Sequence, residues 1–75
     1  MATNISYEVY VQQGSRWELH ARHGASAKDQ AVEEAQQLHR LPNVTSVKVI
    51  KEVYDSVDGI SNEYTVYKSE GASDH

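Results

Sequence analysis

The sequence predicts a two-layer α+β domain in which a single helix packs on one face of a four-stranded sheet, in the order strand, strand, helix, strand, strand. Three observations carry this expectation. Two segments before residue 24 and two after residue 43 alternate apolar and polar side chains with a period of two. Between them runs one stretch with helical periodicity and an apolar stripe. The chain has 75 residues and no cysteine, enough for one core and no disulfide staple.

The first strand covers Ile5–Gln12, with Ile5, Tyr7, Val9 and Val11 on one face and Ser6, Glu8, Tyr10 and Gln12 on the other. Arg16–His23 repeats the pattern, with Trp17, Leu19 and Ala21 on the inward side. A three-residue loop, Gln13-Gly14-Ser15, would pair Val11 with Trp17, Val9 with Leu19 and Tyr7 with Ala21. A two-residue turn would set Val11 against Glu18 and mix the faces, so the odd loop is expected. On that register Trp17 belongs to the core, and Trp17→Ala should cost about 3–5 kcal/mol.

Gly24 and Ala25 end the second strand. Ser26-Ala27-Lys28-Asp29 resembles a capping box, and good helix formers continue to Arg40 before Pro42 stops them. Ala27, Ala31, Ala35 and Leu38 share one stripe with Val32 on its flank, small enough to let the axis approach a sheet closely. Val44–Tyr54 and Asn62–Lys68 form the last two strands, and Asp58-Gly59 marks their turn. Centring the hairpin there pairs Val53 with Tyr64 and Lys51 with Val66 on one face, and Ile50 with Tyr67 on the other. The domain is expected over residues 5–68, flanked by a disordered 1–4 and a disordered 69–75. The helical connection suits a parallel crossover, with the first and fourth strands side by side as in β-grasp domains; a meander fits the same element order.

The predicted core is Ile5, Tyr7, Val9, Val11, Trp17, Leu19, Ala31, Ala35, Leu38, Val47, Val49, Val53, Tyr64 and Val66. Apolar side chains remain for the opposite face: Tyr10, Ile50, Tyr54 and Tyr67. A small antiparallel sheet needs only one apolar face for its core, so this second set reads as a surface that meets a partner. His20 and Arg22 are expected beside it. The partner expected is a protein, a second copy of the chain among the candidates, because small domains without disulfides or metals gain stability by association.

Charge and composition narrow the other classes. The net charge is −4; Glu70 and Asp74 lie after Ser69, which leaves seven bases against nine acids, a net of −2, for residues 1–68. That lacks the positive field of a dedicated nucleic-acid binder. Single-stranded nucleic acid on the tyrosines, helped by Arg16, Arg22 and Lys48, is the alternative reading. No apolar run approaches the ~20 residues that span a bilayer, and Met1–Asn4 is polar, so a cytoplasmic protein without membrane attachment is expected.

No cofactor, metal or catalytic set is expected. His20 and His23 lie three apart on a strand, so their side chains should point to opposite faces and not share a ligand. A His20 base working with Glu8 or Glu18 is the third reading, against an ordinary cross-strand polar pair. Asp55, Asp58, Asn62 and Glu63 lack the ligand spacing of a calcium loop.

Taken together, Tyr7-Glu8-Val9, Trp17, Ala31-Val32-Glu33-Glu34-Ala35, Val47–Asp55 and Glu63–Lys68 resemble small uncharacterised bacterial proteins, a domain of unknown function with a ββαββ pattern. The resemblance spans most of residues 5–68. It implies the fold and a bacterial cytoplasmic origin and brings no activity to any residue.

Overall fold

The computed structural model describes residues 3–69. Its elements are β1 (Thr3–Gln13), β2 (Arg16–His23), α1 (Lys28–Leu38), β3 (Ser46–Asp55) and β4 (Ile60–Lys68). They form one four-stranded antiparallel sheet in the order β2-β1-β3-β4, with α1 on one face. β1 therefore starts two residues earlier than expected. Ser69, assigned above to the tail, is buried: its N–H donates to the Val47 carbonyl at 2.9 Å, and its Oγ accepts from the Val47 N–H at 3.0 Å. The remaining tail positions, 70–75, lie outside the described residues, as do Met1 and Ala2.

The expected neighbours, first and fourth strands, do not pair. β1 and β3 make the centre instead, with Val9 opposite Val49 and Val11 opposite Val47. The reason is hydrophobic: these two strands carry the most apolar inward faces, and Val9, Val47 and Val49 are fully buried where they meet. β4, with Ser61, Asn62 and Glu63, takes an edge. β2 and β3 run parallel with β1 between them, and α1 carries the chain across.

Over β1 and β3, α1 buries Ala31 and Ala35, with Val32 and Leu38 packed at the margin of the core. The helix is shorter than expected and Ser26 does not cap it. The Ala27 N–H instead bonds to the Gly24 carbonyl at 3.1 Å, which moves the N-cap to Ala27, where no side chain supplies a cap. At the other end the His39 N–H still reaches Ala35 at 3.0 Å. Arg40 and Leu41 then bond three residues back, tightening the chain ahead of Pro42.

Both hairpins depart from the expected register, first at the turn and then again at a β-bulge. In the first, Gly14 (φ +65°) takes the first central position of a two-residue turn, with Gln13 opposite Arg16. Turn geometry thus prevails over facial matching: Gln12 faces Trp17, Val11 faces Glu18 and Tyr10 faces Leu19. The register then slips at His20, after which Val9 faces Ala21 and Tyr7 faces His23. An alternation that reads as one face, Trp17-Leu19-Ala21, is cut in two. Trp17 and Leu19 go to the helix-free side and Ala21 to the core. Neither Trp17 nor Leu19 is a core residue, contrary to expectation.

In the second hairpin the turn lies one residue earlier than Asp58-Gly59 suggests. Asp55 nucleates it, its Oδ1 accepting from the Val57 N–H at 2.9 Å and its carbonyl from the Gly59 N–H at 2.7 Å, while Gly59 occupies the left-handed position (φ +70°). Asn62 now faces Val53, and Tyr64 faces Lys51. Tyr64 stays on the expected side but sits at the sheet edge and is 54% exposed. The register slips at Val66, so that Tyr67 faces Val49 and both Val66 and Tyr67 pack against the core. Tyr67 is accordingly a helix-side residue, which corrects its expected place beside Tyr10.

The two bulges are level. One lies opposite Val9/Tyr10, the other opposite Val49/Ile50, and Val9 pairs with Val49. Adding 40 to a position in β1 gives its counterpart in β3; adding 46 carries His20 to Val66. The sheet is a two-fold repeat of a bulged hairpin. Each edge strand is thereby kinked, which discourages edge-to-edge pairing with another chain.

Candidate interaction face

Alternation along the two central strands fixes the composition of the helix-free face. β1 contributes Ser6, Glu8, Tyr10 and Gln12, and β3 contributes Lys48, Ile50, Glu52 and Tyr54, with Ser6 opposite Glu52, Glu8 opposite Ile50 and Tyr10 opposite Lys48 across the sheet centre. β2 adds Trp17 and Leu19 before its bulge and Arg22 after it; β4 adds Glu63, Thr65 and Lys68.

At the middle of this uncovered face sits a buried carboxylate. Glu8 is only 3% exposed, because its neighbours close over it. The Tyr10 hydroxyl donates to Glu8 Oε1 at 3.0 Å, and the Arg22 guanidinium pairs with Oε2. Arg22 also lies 3.8 Å from Glu52, which accepts from Ser6 Oγ at 3.4 Å. Ser6, Glu52, Arg22, Glu8 and Tyr10 are thus one continuous polar network. Among the described residues no buried side-chain donor or acceptor is left without a partner. Burial pushes the Tyr10 phenol above its ordinary pKa, and its hydrogen bond to Glu8 adds to the shift, because ionising the donor would break that bond. The Glu8 carboxylate likewise raises the pKa of Arg22.

A second cluster flanks the network. The Lys48 ammonium lies 4.4 Å from the centroid of the Trp17 ring and 5.7 Å from that of Tyr10, within cation–π range of both. Leu19, 51% exposed, pairs with Tyr10 beside them.

Of the residues expected at a partner surface, Tyr10, Ile50, Tyr54 and Arg22 lie on this face. Tyr67 does not, for the reason given above. His20 does not either: as the bulged residue it turns to the helix side, with Nε2 3.9 Å from Glu34 on α1. His23 Nε2 lies 2.6 Å from the other oxygen of the same carboxylate. The two histidines thus converge on one group instead of pointing apart, and neither reaches Glu8. Arg16 alternates with Trp17 and forms a 3.9 Å pair with Glu18 on the helix side. Trp17 and Leu19 belong to the face although facial counting set them on the other side, while Glu8 and Glu52 lie where counting places them. The Gly14-Ser15 dipeptide, which suits a two-residue turn, is the signal that marks Trp17 and Leu19.

Among the described residues no set of three His, Cys, Asp or Glu is arranged to hold a metal ion, and no helix is long and apolar enough to cross a membrane. A groove along the flank of α1 is lined by Lys28, Asp29, Val32, Glu33 and Gln36, all from one helix. No family model, curated protein or solved structure matches the chain.

Proposed function

We propose that the chain is a non-enzymatic interaction module that binds a protein partner through the helix-free face of its sheet. The observation that carries this reading is the burial of Glu8 on a side that no element of the fold covers. A merely solvated face would leave that carboxylate in water. Here it is held by Tyr10 and Arg22, and the resulting surface mixes aromatic rings, an arginine and exposed aliphatic groups, the composition enriched at protein interfaces. The side chains are ordered before any partner arrives, which lowers the entropic cost of binding.

Single-stranded nucleic acid is the weaker alternative occupant. Tyr67 and Arg16 are absent from the face, and Glu8, Glu52 and Glu63 would repel a phosphate backbone.

Site-specific photo-crosslinking of the full chain in cells tests the reading. A benzophenone amino acid replacing Tyr54, 37% exposed on this face, should yield covalent protein adducts, copies of the chain included. The same probe replacing Gln36 on the helix surface should yield none. Equal adduct formation from both positions, or none from Tyr54, would overturn it.

A further inference from the structure

The charge pattern of the face points to its occupant. On β3 and β4, Lys48 stands directly opposite Lys68, and Glu52 directly opposite Glu63. Like charges facing each other across a strand pair destabilise a sheet. Here there are two such pairs of opposite sign on one face, separated by the Ile50–Thr65 pair. Ile50 is two residues from Lys48 and two from Glu52, so the lysine pair and the glutamate pair are equidistant from it. A two-fold axis lying parallel to the sheet, across the strands at Ile50, would exchange them.

We propose that the face closes on a second copy of this chain in an antiparallel, isologous arrangement, with Lys48 and Lys68 of one protomer over Glu52 and Glu63 of its partner; this rests on the interaction-module reading above. In that arrangement Ile50 meets Ile50 at the axis, and Tyr54 lies over the end of the partner's β3 that holds Ser46. The neutral Glu8–Arg22 unit of each protomer sits level with the axis. The charges of these two pairs then make four contacts of opposite sign between protomers. The ring contacts from Trp17 and Tyr10 hold the Lys48 ammonium over the sheet, where the partner's carboxylate arrives. Aligned sheets pack about 10 Å apart, a gap that lysine and glutamate side chains bridge. The chain measures 43 × 25 Å across its two long directions, an outline that accommodates the roughly 800 Å² per partner of a standard interface. Face packing is also the mode left open by two bulged edges.

The test uses the full chain in sedimentation velocity at about 100 µM and low salt, with Lys68→Glu and Glu63→Lys prepared separately. Each change turns a like-charge cross-strand pair into an opposite one, and circular dichroism with thermal melting checks that the fold is preserved. The wild type should dimerise, with a Kd that weakens as salt rises. Each variant alone should bind itself at least ~10-fold more weakly, about 1.4 kcal/mol. An equimolar mixture should return the Kd to near the wild-type value, because the new carboxylate then meets the new ammonium across the interface. A monomeric wild type would overturn the proposal, as would a mixture that associates no better than its components. A monomer whose Tyr54 probe still captures another protein would remove the second copy and leave the interaction module standing.

Discussion

The two hairpins share a backbone and differ in what they do with it. Each carries a bulge at the same level, yet His20 turns toward Glu34 on α1 while its counterpart Val66 joins the core. The next positions differ in size: Ala21 beside the helix, Tyr67 on the far edge. A helix about 10 Å wide cannot cover four strands spaced about 4.8 Å apart. α1 packs on β1, β3 and β2. Small side chains therefore serve the first hairpin, and the second covers its own inner face with Val66 and the Tyr67 ring. The backbone device decides which side a residue takes, and side-chain volume follows where the helix lies.

The comparison can be broken most strongly at the second bulge. Tyr67→Ala should lower stability by about 2–3 kcal/mol, below the value for a fully buried ring because Tyr67 is half-buried, whereas Tyr54→Ala should cost less than about 1 kcal/mol. Denaturant midpoints measure both; equal losses would return Tyr67 to the open face. Next in size, Val49→Ala, beneath the helix, should cost about 2 kcal/mol, and Val53→Ala, toward the β3–β4 turn, about half of that. Trp17→Ala should cost only about 1 kcal/mol, well short of the 3–5 kcal/mol that a core position implies. A loss in the higher range would put the first bulge in doubt. Glu34→Gln, which weakens the link from both histidines to the helix, should cost about 0.5–1 kcal/mol, as the loss of a partly exposed hydrogen bond does.

The smallest effect is in alkali. Because the folded protein favours the neutral Tyr10 phenol, the stability it contributes is present below the ordinary tyrosine pKa near ~10 and is lost as pH rises through the higher folded value. Tyr10→Phe should flatten that part of the stability profile above about pH 10, read as the difference in denaturant midpoint between variant and wild type. A parallel decline in the two proteins would place the effect on the other tyrosines.

Element order, the helix stripe and the inward residues of the two central strands were legible because each rests on one uninterrupted periodicity. Ala31, Ala35, Val9, Val47 and Val49 lie where period alone puts them. The register was not legible, because a bulge leaves no mark in an alternating pattern: Trp17, Leu19 and Ala21 remain two apart whether or not His20 is extruded. Strand order depended on comparing how apolar whole strands are, which favours β1 beside β3 over β1 beside β4. Of the six residues expected at a partner surface, Tyr10, Ile50, Tyr54 and Arg22 lie on the helix-free face. Each lies where no bulge intervenes or, for Arg22, where the slip sets it opposite Glu8, the place expected for His20, and so keeps it on the helix-free face. Tyr67 and His20 are the two that a bulge displaced.

The composition assigned to the open face depends on the two-residue turn at Gly14-Ser15 delivering the Trp17 ring to it, and proton–proton contacts from the Trp17 indole in solution test that most directly. Cross-peaks to the Lys48 and Tyr10 side chains, with none to Ala31 or Ala35, are the predicted result. Cross-peaks from the indole to the helix alanines would contradict the account.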